Sequence, residues 1–574
     1  MKEKSKWQTT LKKNHKKYGN RFFKLIIHTM THKTLNLAFS LSCCTLASVA
    51  QLSEKASKQP NIVFIMTDDH AYQALSAYND RLMHTPNIDR IAKEGMLFCN
   101  SCVTNSISAP SRAVLLTGKH THINGKINNQ LPFDTSQVTF PQLLQSAGYQ
   151  TGLFGKLHFG NEPKGFHQYK ILPGQGVYYN PDFITKDSGT VRYNGYVTDI
   201  ITDMSINWLE HERDKEKPFL LMYLHKAPHR EWFPALRHIA VYTNKTFAEP
   251  ETLFDDYAGR GTAAKEAEMN LLTHMNWAGD SKVYPEVMDK LGIPETIDWD
   301  KAAFRKEYGR MTKEQQQAWD KVYGKIIAEF EQRYPEMTEK EKMQWRYQRY
   351  MQDYCGTLAA VDEGVGELMA YLEANELSEN TIIVYTSDQG FYLGEHGWFD
   401  KRFVYNESFK TPLLIKWPNV IKEGSVNTNM VQNLDMAPTL LEAAGLQLPS
   451  DIQGESFVSL LKGGKRFRDA AYYHYYEYPG IHAVKRHYAI VKEDFKLIHF
   501  YHDVDEWELY DRKKDPDEMT NVYNDPAYYK IRKKLHAELK ALRKKYKDSD
   551  ELDRHFINIS SDEYNAGRHN ILKD

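Results

Sequence analysis

Two stretches of this chain limit its fold more than any other feature. Asn61-Ile62-Val63-Phe64-Ile65-Met66-Thr67 is an unbroken apolar run that stops at Asp68-Asp69. Thr381-Ile382-Ile383-Val384-Tyr385-Thr386-Ser387 repeats the design far downstream and stops at Asp388-Gln389. Runs without polar alternation belong to strands covered on both faces, the condition of a parallel sheet, and ligands gather at the carboxyl ends of such strands. A lone Asp-Asp pair is more often a turn or a helix cap. Two strand-terminal clusters in one chain point instead to one shared cation site. Three carboxylates and an amide oxygen suit Ca²⁺ or Mg²⁺ and are poorly suited to zinc, which favours nitrogen and sulfur.

The mature chain alternates apolar runs with amphipathic segments, which predicts an α/β sheet covered by helices on both faces. Helices are predicted over 140–147, 201–210 and 349–374, the last with apolar residues at helical spacing. Residues 231–345 interrupt the pattern with polar, helix-prone sequence and are expected to form a helical insertion beside the mouth of the site. Within it Glu339-Lys340-Glu341-Lys342 reads as a solvated helix face. With 574 residues the chain exceeds one ordinary domain. A main unit over 58–465 and a smaller one over 466–574 are expected, the boundary following Gly463-Gly464. The smaller unit is read as α+β, with strands at 489–491, 496–500 and 508–511 and a basic amphipathic helix over 528–546.

Residues 1–34 are strongly basic, and Leu35 to Ala50 is an apolar, small-residue stretch ending Ala47-Ser48-Val49-Ala50. This reads as a secretory signal cleaved after Ala50, with Met30 as an alternative start, and implies export to a bacterial periplasm. The stretch is short of the roughly 20 residues of a membrane span. Cys43 or Cys44 in Leu41-Ser42-Cys43-Cys44 would anchor the chain to a membrane if lipidated. Cys99, Cys102 and Cys355 are then too few and too irregular for a disulfide framework. Formal net charge is −1, so no long-range field recruits nucleic acid.

Residues 106–118 read SISAPSRAVLLTG, and Ser108-Ala109-Pro110-Ser111-Arg112 is the pentapeptide S-x-P-S-R. Around it stand, in order, Asp68-Asp69, Gly155-Lys156-Leu157-His158, Pro228-His229, Ser387-Asp388-Gln389-Gly390 and Lys401. Taken singly, a Lys or His is usually a solvated or core residue, and with 23 His one proves nothing. The ordered set resembles the type I sulfatases over roughly residues 58 to 525. Departures from the commonest pattern are Ser at 108 instead of Cys, Leu at 157 instead of Trp, and Gln at 389 instead of Asn.

The resemblance implies an alkaline-phosphatase-like α/β fold, a large mixed sheet with a smaller C-terminal subdomain carrying a short antiparallel sheet. It implies that a serine-type maturase oxidises Ser108 to formylglycine, whose hydrate attacks sulfur. One Ca²⁺ would sit on Asp68, Asp69, Ser108, Asp388 and Gln389. Arg112, Lys156, His158, His229 and Lys401 complete the implied catalytic set, with His229 or a nearby lysine protonating the leaving oxygen and His158 taking the hydroxyl proton. A sulfuryl group carries spread negative charge, so a site for it needs such fixed cations and donors.

Substrate class has to come from elsewhere in the chain. His474-Tyr475-Tyr476-Glu477-Tyr478-Pro479, His482 and Arg486, with HKAPHREW at 225–232, resemble bacterial N-acetylglucosamine-6-O-sulfatases. His474, Glu477, His482 and Arg486 are therefore candidate sugar ligands, against the alternative of a Tyr-rich strand packed on the large sheet. Three further readings stay open: a phosphatase or phosphodiesterase of related fold with unmodified Ser108 and two zincs, a sulfatase for another sulfated sugar, and a non-catalytic glycan-binding surface protein.

Overall fold

Both apolar runs are strands, and they are neighbours in one sheet. The computed structural model describes residues 59–559 apart from Arg466; the leader read at 1–50, with Met30, Cys43 and Cys44, lies outside the described residues. The strands before the long helical segment are β1 (Asn61–Thr67), β2 (Met96–Phe98), β3 (Ser101–Cys102), β4 (Gln150–Gly155), β5 (Gln168–Ile171), β6 (Asp182–Thr185), β7 (Gly189–Arg192) and β8 (Phe219–Leu224). After it come β9 (Thr381–Ser387), β10 (Leu413–Lys416), β11 (Ser425–Asn427) and β12 (Val431–Gln432). β13 (Ala471–Tyr475), β14 (His487–Val491), β15 (Phe495–Phe500) and β16 (Glu506–Asp511) follow Gly464.

The large sheet has the order β11-β2-β10-β9-β1-β8-β4-β5-β6-β7. Its centre, β9-β1-β8-β4-β5, is parallel, and antiparallel pairs join it on either side. Side chains alternate between two cores, as the pleat requires. Val63, Ile65, Leu221, Tyr223, Ile383 and Tyr385 pack into one core, under helices that include Val197–Asn207 and Glu339–Ala374. Ile62, Phe64, Met66, Leu220, Met222, Ile382 and Val384 pack into the other, under Ser108–Thr117, Phe140–Ser146 and Met436–Ala443. Helices on both faces are the reason the middle positions of these strands are apolar or aromatic.

Register then decides where the polar residues emerge. Met66 stands opposite both Leu224 and Thr386, and Gly155 stands opposite Leu224. β9, β1, β8 and β4 therefore end at one level. The residues that follow them, Asp388-Gln389, Asp68-Asp69, His225 through His229, and Lys156 through His158, leave the sheet along a single edge.

The predicted helix at 349–374 begins earlier, at Glu339. A capping box between Thr338 and Glu341 starts it, and Met343, Tyr347, Tyr350 and Met351 bury one face of the added turns. The charged run is thus its first exposed turn. Residues 231–345 carry helices Leu236–Thr243, Thr262–Glu266, Pro285–Leu291, Asp300–Tyr308 and Lys313–Arg333. β13-β14-β15-β16 form a separate antiparallel sheet, and helix Tyr529–Lys545 covers it through Leu535 and Leu539 against Tyr472, Ile490, Leu497 and Leu509. Cys99, Cys102 and Cys355 are free thiols. No described helix is long and apolar enough to cross a membrane.

Gly155 ends β4 at a positive φ of 112°, and a Cβ there would collide with the carbonyl oxygen of Leu224. The next amide, of Lys156, donates to that same carbonyl at 2.9 Å. Gly155→Ala should lower stability by about 1–3 kcal/mol and pull Lys156 off the edge. Urea unfolding and turnover measured on the same sample test this, and wild-type values in both would contradict it.

Candidate active site

Asp68 is fully buried between two cations. Its Oδ2 lies 2.9 Å from Arg112 Nη2 and 2.6 Å from Lys156 Nζ. Arg112 also reaches Asp388 Oδ2 with Nε at 3.0 Å, and it donates through Nη1 to the carbonyl of Lys156. One guanidinium thus ties the ends of β1, β4 and β9 together. Burial opposes charge on Asp68, but Lys156 and Arg112 outweigh it and hold the carboxyl well below the usual carboxylate range.

Asp69, at a positive φ of 68°, turns toward the other side of the pocket. Its Oδ2 accepts from Lys401 Nζ at 2.8 Å and lies 3.9 Å from His229 Nε2, while Gln389 Nε2 donates to its Oδ1. Burial, assisted by Asp68 and Asp388 and opposed by Lys401, lifts Asp69 to about 7. Burial and Asp68 likewise raise Asp388. These three carboxylates meet three cations, Arg112, Lys156 and Lys401, so they crowd together without a net charge, and burial still raises two of them. Gln389 Oε1, buried beside them, has no hydrogen-bond partner. Asp68, Asp69 and His229 can bring ligand atoms within 4.8 Å of one another. The set fits a metal ion, and its oxygen donors favour a hard divalent one.

Ser108 opens the buried helix Ser108–Thr117, whose N-terminal amides favour an anion. Its Oγ lies 3.3 Å from Asp68 Oδ1. A serine needs a base to become a nucleophile. Asp68, held so strongly ionised, is a poor one, and no imidazole among the described residues hydrogen-bonds to Ser108 Oγ. The Ser111 hydroxyl donates to the Asp388 carbonyl, and the Asn129 side chain accepts from the Ala109 amide at 3.1 Å, fixing the start of this helix.

His229 Nδ1 lies 2.6 Å from the carbonyl of Arg230. A carbonyl only accepts, so the proton resides on Nδ1 and Nε2 is the nitrogen free to titrate toward Asp69. Burial, with Lys156 adding to it, keeps His229 neutral at pH 7. His158 is also held low by burial and by Lys156, and its Nδ1 has no hydrogen-bond partner. Burial pushes Lys156 down to about 8 against the pull of Asp68, and its Nζ also donates to Gln175.

The four residues read as sugar ligands separate into two pairs. His482 and Glu477 join the site through the neighbours of Lys401. His482 Nε2 lies 3.3 Å from Asp400 Oδ2, and Arg402 Nη1 lies 2.7 Å from Glu477 Oε1. Glu477 Oε2 accepts from the Asn129 amide at 2.9 Å, so this wall runs on to the helix of Ser108. Arg230, paired with Asp280 and 3.4 Å from His482 Nε2, closes the same corner. His474 and Arg486 take partners elsewhere in the C-terminal region, although Arg486 Nη2 has none among the described residues. His474 lies inside β13, with Nδ1 2.8 Å from Asp548 and Nε2 2.8 Å from the Tyr501 hydroxyl. Arg486 pairs with Asp503 at 2.7 Å and caps the Tyr476 carbonyl at 3.2 Å. The Tyr-rich strand reading holds for 471–475, where Tyr472, Tyr473 and Tyr475 are buried. Asp400, Arg402, Asp280 and Gln175 were not among the residues singled out from the sequence, and Arg230 was quoted only within HKAPHREW. The charged triplet Asp400-Lys401-Arg402 between aromatic Phe399 and Phe403 was the available signal for two of them.

The sulfatase family model matches residues 60–446, and a model described as N-sulphoglucosamine sulphohydrolase, C-terminal, matches residues 394–545. An N-acetylglucosamine-6-O-sulfatase of Bacteroides thetaiotaomicron is 49% identical over 532 residues, covering 92% of this chain and 93% of that protein. A solved structure of a protein in complex with its substrate, D-glucosamine-2-N,6-O-disulfate, aligns with a TM-score of 0.82 and 50% identity over 86% of this chain and 99% of that one. The phosphonate monoester hydrolase of Agrobacterium radiobacter shares the fold, with a TM-score of 0.60 and 22% identity over 85% of this chain and 96% of that one.

Replacing Arg112 with Ala leaves Asp388 without its guanidinium and Asp68 with half its compensation. The expected cost is about 3–5 kcal/mol. Denaturant unfolding of Arg112→Ala without added cation checks this, and a loss under about 1 kcal/mol would show that Arg112 does not hold the edge together.

Proposed function

The chain belongs to the sulfatase family, and from that premise we propose that it removes the 6-O-sulfate of N-acetylglucosamine in glycosaminoglycan- or mucin-type glycans. The observation that carries this reading is the pocket in which Ser108, at a helix N-terminus, meets buried carboxylates and two lysines. Formylglycine made from Ser108 by a serine-type maturase would supply the nucleophile, and Ca²⁺ on Asp68, Asp69, Asp388 and Gln389 would supply charge compensation and Lewis acidity. The poor basicity of Asp68 toward Ser108 supports conversion of that residue. The carboxylate and amide oxygens of Asp68, Asp69, Asp388 and Gln389 support calcium.

The chain's own residues do the rest. Lys156 and Lys401, each anchored on a carboxylate, present fixed positive charge to sulfate oxygens without having to reorganise. His229 keeps its Nδ1 proton on the Arg230 carbonyl, so Nε2 points into the pocket. A bound sulfate ester brings negative charge that favours the imidazolium, and Nε2 then donates to the departing sugar oxygen. His158 stays neutral beside Lys156, ready to accept a proton. Arg112 holds Asp68 and Asp388 in place throughout. His482, Asp400, Arg402 and Glu477 form a wall of alternating charge suited to sugar hydroxyls. The basic leader and apolar stretch of residues 1–50 support export to the periplasm, with lipid anchoring at Cys43 or Cys44 as a variant of the same route.

Two measurements test this reading. Turnover of 6-O-sulfated N-acetylglucosamine should exceed that of galactose or uronic acid sulfates, and His482→Ala or Glu477→Ala should lower kcat/KM on the sugar about tenfold to a hundredfold. A small aryl sulfate makes none of these hydroxyl contacts and should be turned over nearly as before. Equal losses on both substrates would assign these residues to folding. Elemental analysis of the native protein should find one calcium, and Asp388→Ala should abolish turnover. Stoichiometric zinc with efficient phosphate ester hydrolysis would overturn the assignment.

A further inference from the structure

Helix Tyr529–Lys545, sequence YKIRKKLHAELKALRKK, concentrates charge in a chain whose net charge is only −1. Its eight basic residues face one acid, Glu538. Some of these cations are already engaged. Arg543 pairs with Asp550 at 2.6 Å and Asp553 at 2.7 Å, Lys545 with Glu455 at 2.8 Å, and Lys534 approaches Glu538 at 3.8 Å. Lys533, Lys540 and Lys544 are exposed, and no carboxylate pairs with them among the described residues. Their spacing of seven and then four residues places them on one helix face.

Lys540 and Lys544 line a groove of about 570 Å³ beside the C-terminal sheet, and Lys533 extends the same face beyond it. Its wall is aromatic: Trp507 stacks on His499 at 4.0 Å, meets His536 edge-on at 4.3 Å, and stands beside Tyr488. Asp548 and Asp550 also border the groove, but Asp548 is bound to His474 and Asp550 to Arg543. Tyr488 is buried under Arg543, so the groove offers two unpaired lysines beside the partly exposed Trp507. Lysines in a row match anionic groups repeated along a chain, and aromatic rings pack against the apolar faces of sugars. None of the lysines or rings belongs to the hydrolytic pocket.

We propose that this groove and its lysine stripe form a second binding site, for a sulfated polysaccharide held by its sulfate groups. The choice of a sulfated glycan over other polyanions rests on the sulfate ester reading of the active site. Such a site raises the concentration of chain ends near the enzyme without touching the bond that is cut.

The test uses the full chain with heparin, chemically desulfated heparin, duplex DNA and phosphatidylglycerol vesicles as probes. Wild-type protein should bind heparin in a salt-dependent way and leave desulfated heparin unbound. The triple variant K533E/K540E/K544E should weaken heparin binding about tenfold or more, with the Lys→Gln triple variant intermediate. Trp507→Ala should weaken it at unchanged charge. The lysine variants should keep wild-type melting temperature and kcat/KM on 6-O-sulfated N-acetylglucosamine. Unchanged heparin affinity in both triple variants overturns the proposal, as does equal lysine-dependent retention of DNA or vesicles. Lysine-dependent heparin binding without turnover of the sulfated sugar would sink the proposed function and leave this site standing.

Discussion

Asp68 shares one carboxylate oxygen between Arg112 and Lys156, and this contact joins three strands that arrive from distant parts of the sequence. Asp68 follows β1, Lys156 follows β4, and Arg112 carries the link to Asp388 after β9. Breaking any one of these partners leaves a buried charge uncompensated, which costs more than an exposed pair would return. The edge of the sheet is therefore held by the same groups that give the pocket its charge. Stability and chemistry draw on one set of residues, and neither can be altered alone.

The register makes this possible. Because β9, β1, β8 and β4 are parallel and end level, every segment leaving them enters one pocket. The segments differ in charge sign, so carboxylates and cations interleave rather than cluster. The helix of Ser108 then brings its N-terminus to the same edge. What results is a site in which three carboxylates alternate with three fixed cations, with the unpartnered Gln389 Oε1 beside them. It can hold a metal ion and an oxyanion side by side.

Much of this was legible in the sequence because burial on both faces leaves a simple signature. β1 and β9 announced themselves by apolar middles without polar alternation, and the acids stand directly after them in the sequence. Ser108, Arg112, Lys156, His158, His229 and Lys401 are brought together as the family resemblance implied. The sugar wall was harder. His474 and His482 look alike in sequence, but one lies within a strand whose side chains are committed to the C-terminal helix region. The other sits in the loop between β13 and β14, at a positive φ of 74°. A histidine in a strand with Asp548 waiting far along the chain cannot be told from a ligand by local pattern. Asp400 and Arg402 were overlooked for the opposite reason, since a charged triplet in a loop reads as solvated. Here it is enclosed by Phe399, Phe403 and Trp398. The early start of the long helix at Glu339 was hidden because its first turns are charged and only later positions bury a face.

The residue at position 108 is read as formylglycine and not serine, because its Oγ hydrogen-bonds to Asp68, a strongly ionised carboxylate, and to no imidazole among the described residues. Mass spectrometry of the peptide spanning Ser108, from protein made with its serine-type maturase, tests this most directly. The account predicts a peptide lighter by two hydrogens that reacts with a hydrazide probe, with turnover rising in proportion to the converted fraction. An unmodified Ser108 in fully active protein would contradict it.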